Sequence, residues 1–157
     1  MHLTLTSLSK IAQNLSLEVI VVDNASNDGV LNYIVSDFPN VRYIENRENI
    51  GFAKANNLGV RSAKSDTILI LNPDTIVSEE VIREAISYLY SEPKTGAVAV
   101  KMLDGRGDYL PESARRFPNI KSSFLKILGL KRHSNYYMTA NAEQAIEVMS
   151  GACMFFK

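Results

Sequence analysis

The chain has 157 residues, 46% of them apolar and 22% charged, a globular composition that excludes disorder, collagen and coiled coil as whole-chain readings. Its 17 Lys and Arg balance 17 Asp and Glu, and a zero formal net charge argues against a protein that grips nucleic acid through its phosphates. With one cysteine, Cys153, no intrachain disulfide can form, which fits a reducing compartment; the residue itself reads as a small buried apolar side chain. No run nears the roughly 20 apolar residues of a membrane span. The opening Met1-His2-Leu3-Thr4 lacks the basic and apolar regions of a signal peptide. A cytoplasmic location is expected, with peripheral contact at the inner membrane face left open.

Apolar runs alternate with helical patterns along the chain. Residues 3–13 carry Leu3, Leu5, Leu8, Ile11 and Ala12, a loose helical stripe. Leu17 to Val22 is short, β-branched and almost continuously apolar, as in a strand covered on both faces. The cluster from Asp23 to Gly29 is a turn. A helix from about Asp28 to Asp37 places Val30, Leu31, Ile34, Val35 and Phe38 on one side. Val41–Ile44 reads as a second strand and Asn49-Ile50-Gly51 as a loop. A helix from Phe52 to Ala63 follows, with Phe52, Ala55 and Val60 inward.

Thr67–Leu71 reads as a third buried strand, ending at Asn72-Pro73-Asp74-Thr75. Ser78 is the expected N-cap of the next helix, with Glu79 and Glu80 where the helix dipole favours acids. Val81, Ile82, Ala85, Ile86 and Leu89 form its core stripe, and Pro93 stops it. Gly96–Met102 reads as a fourth strand, followed by a turn at residues 104–107. Between Pro111 and His133 the chain turns basic, with Arg115, Arg116, Lys121, Lys126, Lys131 and Arg132 against Glu112. Ile146–Phe156 reads as a last strand. This alternation predicts an α/β domain with a mostly parallel, Rossmann-like sheet flanked by helices.

Polar residues gather just after the strands: Asp23-Asn24, Asn49-Ile50-Gly51 and Asn72-Pro73-Asp74. In a parallel sheet those loops share one rim and can converge on one ligand. Each is also a good turn in its own right, and Gly51 suits a left-handed one. Asn56-Asn57 is less expected, because Asn is a poor helix-interior residue. The dinucleotide pattern G-x-G-x-x-G fails after the first strand, and no G-x-x-x-x-G-K-[ST] exists. Phosphates would then be held through a divalent cation, which takes one or two carboxylates plus phosphate oxygens. Asp74 is placed to supply such a carboxylate, with Pro73 stiffening its approach. Arg115-Arg116 is the subset of the basic stretch suited to phosphate, although Lys and Arg on a solvated helix equally serve solubility. His2 and His133 read as surface residues, and no Cys/His cluster points to zinc.

Five segments together resemble a known family. Residues 18–29, Asn49 to Gly59, Ile70-Leu71-Asn72-Pro73-Asp74, Arg115-Arg116-Phe117-Pro118 and Ser150 to Met154 resemble, in order, blocks of family 2 glycosyltransferases of the GT-A fold, in a rhamnosyltransferase-like subgroup. Asn72-Pro73-Asp74 corresponds to the metal-binding D-x-D element. The resemblance implies a nucleotide-diphosphate sugar donor, Mg²⁺ or Mn²⁺, a saccharide or lipid-linked acceptor, and inverting transfer. It places Asp23 and Asn24 on the nucleoside, and Asn49, Gly51, Lys54 and Asn57 in the wall of the nucleotide pocket, with Lys54 toward the diphosphate. It keeps Asn72 as a hydrogen-bonding residue and makes Asp74 the metal ligand. Residues 1–103 would form the nucleotide-binding core and 104–157 the start of the acceptor side, within a single domain spanning 1–157.

In that family a first strand precedes the segment matching the start of this chain, and the general base lies beyond the Gly151 strand. The resemblance therefore implies an internal piece of the domain, truncated at both ends, with no catalytic base among these residues. It also implies an open sheet edge that invites homodimerisation. A non-catalytic nucleotide-binding remnant is the alternative. A receiver-like signalling domain, with Asp23 and Asp74 ending parallel strands, fits poorly around Asn72-Pro73-Asp74.

Overall fold

The computed structural model describes residues 1–26, 28–115 and 145–157. Helix α1 (His2–Ile11) leads into strand β1 (Ile20–Asp23), helix α2 (Val30–Asp37) and strand β2 (Arg42–Glu45). Helix α3 (Phe52–Ser62), strand β3 (Ile68–Leu71), helix α4 (Glu79–Ser91) and strand β4 (Ala97–Ala99) follow. A 3₁₀ turn (Pro111–Ser113) opens strand β5 (Ala114–Arg115), and β6 (Val148–Met149) and β7 (Cys153–Phe156) close the description. The α/β class is the expected one; the third and fourth predicted strands are found trimmed, and β1 and β2 start later than predicted and run one residue further, to Asp23 and Glu45.

The pairing is mixed. β1 and β2 are parallel, with Ile20 opposite Arg42 and Asp23 opposite Glu45. β7 runs antiparallel between β3 and β4, so that Phe155 faces both Leu69 and Val98. The single strand expected over 146–156 is instead two, because the chain turns at Gly151. There β6 pairs with β5 and β7 enters the main sheet.

The core lies where α1 and α4 cover this sheet: Ile11, Val77, Ile82, Ala85, Leu89, Cys153 and Phe155. Ser78 caps α4, its hydroxyl accepting from the Val81 amide at 3.2 Å, and α4 ends at Ser91, ahead of Pro93. Ile82, Ala85 and Leu89 are buried as the stripe predicts. In α1, Leu5, Leu8 and Ile11 face inward while Leu3 is 70% exposed.

Three expectations of burial fail. Phe52 is 58% and Val60 39% exposed; of the α3 residues expected inward, Ala55 alone is buried. Val35 is 53% exposed beside a fully buried Ile34. β1 and β3, read as strands covered on both faces, are of intermediate exposure along their whole length, neither fully buried nor exposed. The side chains of Val30 and Leu31, and the segment from Arg116 to Gln144 with its basic residues and His133, lie outside the described residues.

Candidate functional site

The first rim loop starts at Asp23, the last residue of β1. Its main-chain carbonyl accepts from the Asn46 amide at 2.9 Å. Its Oδ1 accepts from the Ser26 amide at 3.2 Å, closing an Asx-type turn. Ala25 inside that turn takes φ 62°, a left-handed conformation that costs a non-glycine residue about 1–2 kcal/mol. Ser26 Oγ donates to Asp28 Oδ1 at 3.1 Å, ahead of α2. The rim is thus negative, and it acts on Tyr43 of β2. Burial, then the charges of Asp23 and Asp28, raise the Tyr43 phenol above its ordinary value.

Asn24 organises the second loop from the end of the first. Its Oδ1 accepts from Asn46 Nδ2 at 3.2 Å and from the Ile50 amide at 3.0 Å. Its Nδ2 donates to Asn49 Oδ1 at 2.8 Å. Asn49 Oδ1 also accepts from the Gly51 amide at 2.9 Å. Three asparagines thus fix the path from β2 into α3. Gly51 sits at φ 83°, ψ 159°, a region that is essentially glycine's alone. Its residue type is set by the backbone, whatever it later touches.

On α3, Asn56 Nδ2 donates back to the Phe52 carbonyl at 2.9 Å, which explains one of the two helix asparagines locally. Lys54 and Asn57 are exposed on the same helix. Phe52 reaches the β6–β7 turn: a Cβ built on Gly151 would lie 3.1 Å from Phe52 Cζ. A side chain at 151 would therefore press on the Phe52 ring, which would have to shift by a few tenths of an ångström.

The third loop follows β3. The Asn72 amide donates to the Ala152 carbonyl at 2.9 Å, continuing the β3–β7 ladder, and the Thr75 amide donates to the Asn72 carbonyl at 3.1 Å to close a turn. Thr4 Oγ1 of α1 donates to the Pro73 carbonyl at 2.8 Å and clamps the loop from below. Asp74 is exposed at the tip, with a long 3.4 Å contact from Thr75 Oγ1 to its Oδ1. Asn24, Asn56, Asn72 and Pro73 line one cleft of about 460 Å³, so the ends of β1 and β3 open on the same space.

Of the sequence-predicted residues, Asp23, Asn24, Asn49 and Gly51 are joined into one hydrogen-bonded rim. Of these, Asn24 lines the cleft that Asn72 also lines. No hydrogen bond or ion pair among the described residues joins Asp74, Lys54 or Asn57 to that rim. The described residues hold no group of three His, Cys, Asp or Glu that could enclose a cation. An exposed single carboxylate fits Mg²⁺ or Mn²⁺ held jointly with a ligand's phosphates and water, and does not fit an all-protein cage. Sequence reasoning missed Asn46, though it too is a polar residue directly after a strand. It also missed Thr4 and Tyr43, whose residue types carry no signal within a helix and a strand.

Residues 2–157 match the family described as Glycosyl transferase family 2. This chain belongs to that family. It is 27% identical over 172 residues to an N-acetylglucosaminyl-diphospho-decaprenol L-rhamnosyltransferase of Mycobacterium tuberculosis, covering 98% of this chain and 55% of the relative. It is 26% identical over 117 residues to the low-salt glycan biosynthesis hexosyltransferase Agl10 of Haloferax volcanii, covering 72% of this chain and 36% of that one. The chain therefore spans about half the length of the rhamnosyltransferase it matches, and less of the hexosyltransferase. Among solved structures it is similar to a mannosyltransferase of Pyrobaculum calidifontis in complex with GDP-Man and Mn²⁺, at 24% identity and a TM-score of 0.49, covering 79% of this chain and 43% of that one. Among the described residues no helix is long and apolar enough to cross a membrane.

Proposed function

We propose that this chain is the donor-binding part of a glycosyltransferase that takes its sugar from a nucleotide-diphosphate donor. The supporting observation is the shared opening of the β1 and β3 ends on one cleft, with the exposed Asp74 next in sequence to Pro73 of its lining. Loops after parallel strands are where α/β folds bind ligands. The rim built by Asp23, Asn24 and Asn49 receives the nucleoside, and Asn72 hydrogen-bonds the donor. Lys54, exposed on α3, answers the negative diphosphate. Gly51 lets the chain enter α3 close to the ligand.

Asp74 holds Mg²⁺ or Mn²⁺ against the donor phosphates. Such an ion neutralises the charge that grows on the leaving diphosphate. The acceptor is a saccharide or a lipid-linked saccharide, residues 104–157 contribute to its side of the site, and the sugar is transferred with inversion. The work is placed in the cytoplasm, at the membrane face where a lipid-linked acceptor is reached.

The test is sugar transfer from radiolabelled nucleotide-sugar donors with Mn²⁺, comparing the wild-type sequence with Asp74→Ala, each in the longest reading frame that contains it. A loss of at least about a hundredfold in kcat/KM, roughly 2.7 kcal/mol, fits a lost metal ligand. Equal rates in both proteins remove Asp74 from the metal role.

A further inference from the structure

β3 and β4 each run antiparallel to β7, so they run the same way. The segment after β4 therefore leaves the sheet at the end where the Asp74 loop follows β3. It is a stiff hairpin. Leu103 and Tyr109 pair across it, and the Leu110 amide donates to the Met102 carbonyl at 2.9 Å. The Asp104 amide donates to the Asp108 carbonyl at 2.8 Å, and the Gly107 amide to the Asp104 carbonyl at 3.0 Å. Asp104 Oδ1 accepts from the Arg106 amide at 2.8 Å and the Asp108 amide at 2.9 Å, so this carboxylate is turned into the tip.

Directly opposed residues of an antiparallel pair share one face. That face carries Leu103, 54% exposed, beside Tyr109, with Lys101 Nζ 5.5 Å from the centre of the Tyr109 ring. An apolar side chain, a ring with a polar tip and a long cation are the residue types that settle at a bilayer interface. A single exposed leucine needs no explanation by itself. The charge of the chain supplies the second observation. Residues 101–133 hold eight Lys and Arg against three Asp and Glu, leaving nine against fourteen elsewhere. Between Glu112 and Glu143 the sequence has six Lys and Arg and no acid, and Phe124, Leu125, Ile127 and Leu128 stand among them. Reversible membrane binding takes two signals, apolar contact and a polybasic run. Here they are adjacent in the chain. A soluble polyanion would use the cations and leave Leu103 and Tyr109 without a role.

We propose that the hairpin of residues 101–110 docks this chain on an anionic lipid bilayer. Leu103 and Tyr109 enter the headgroup region, and Lys101, with the positive charge that follows the hairpin in sequence, is drawn to the lipid phosphates. The rest of the chain is net negative and is held off the surface, which fixes the orientation: the hairpin end of the sheet, also the Asp74 end, faces the lipid. This deepens the proposed function by naming the surface that would meet a lipid-linked acceptor. Its test contains no nucleotide, sugar or metal, so either reading can fail alone.

The test is co-sedimentation of the 157-residue chain with vesicles of phosphatidylcholine alone and of phosphatidylcholine with about a third phosphatidylglycerol. The expected result is binding to the anionic vesicles at least about tenfold tighter than to the neutral ones, and weakened by raising the salt to about 0.5 M. Leu103→Ser should weaken it about tenfold, and Lys101→Gln about fivefold. The chain has no tryptophan, so Leu103→Trp supplies a second readout: its emission should shift to the blue on anionic vesicles and stay unshifted on neutral ones. Equal binding to both compositions, or none to the anionic one, overturns the proposal. Binding that Leu103→Ser leaves unchanged assigns the basic run alone and overturns the role of the hairpin. Equally tight binding to a double-stranded DNA oligomer assigns unselective polyanion binding and overturns the bilayer as partner.

Discussion

Asn24 Nδ2 donates to Asn49 Oδ1 at 2.8 Å, tying the end of β1 to the entry of α3. The same amide receives Asn46 Nδ2 and the Ile50 N–H on its oxygen. A residue expected to touch a nucleoside is thus first a builder of the loop that frames the cleft. Asn24→Ala takes the acceptor from the Ile50 amide and from Asn46 Nδ2 and one of two donors from Asn49 Oδ1, which keeps the Gly51 amide. Net worth is about 1 kcal/mol per lost bond, with part recovered from water, so a loss of about 2 kcal/mol is expected. Calorimetry should show Tm lower by about 4–8 °C for a chain of this size. An unchanged Tm would show that the three contacts do not hold the loop.

Gly51→Ala isolates backbone strain from sterics. A Cβ at this position meets nothing within 4 Å, while φ is +83°. The expected loss is about 1–3 kcal/mol, all of it conformational. Gly105→Ala is the control: it also meets open space but has no positive φ, and should stay within about 0.5 kcal/mol of wild type. Urea unfolding midpoints of the two variants report the difference.

Ser78→Ala removes the cap of the helix that covers the core. The Val81 amide loses its acceptor, at a cost of about 1 kcal/mol, and Ser78→Asp should restore most of it. Chemical denaturation with a far-ultraviolet signal measures both.

Cys153 is 3% exposed between β3 and β4, and burial pushes its thiol from 9.0 up to about 11. The folded protein therefore holds this proton more tightly than the unfolded chain. The sign follows: stability from this group is complete below the ordinary thiol value and is lost as pH rises through roughly 9 to 11. Iodoacetamide at pH 8.5 should leave the native chain unmodified and label it promptly in urea. Rapid native labelling would contradict the burial.

Much of the fold is written locally. The α4 stripe, its Ser78 cap and the β-branched runs of β1 and β3 each need only neighbours within one element. The order of polar loops after strands is equally local, and it singled out Asp23, Asn24, Asn49 and Asn72, of which Asn24 and Asn72 line the cleft. What pairs with β3 is not local. Leu71 faces Cys153, and Ile68 faces Phe156, across more than half the chain. Direction and insertion of β7 follow from that long-range ladder, which no periodicity encodes. Asn24 shows the same limit within the site. A turn asparagine has one composition signal whether it meets water, a ligand or a distant loop. Its partners lie 22 to 26 residues away and appear only in three dimensions. Phe52 misled for a related reason: its ring covers Gly151 from an exposed position instead of entering the core.

Calorimetric titration of UDP, dTDP and GDP into the chain, with Mn²⁺ and with EDTA, for wild type and Asp74→Asn, tests the central claim. At least one nucleotide should bind the wild-type chain with Mn²⁺ and fail to bind with EDTA. Asp74→Asn should weaken the Mn²⁺-dependent binding at least about tenfold, or 1.4 kcal/mol. Equal affinity in both proteins, or binding indifferent to the metal, would contradict the assignment of Asp74.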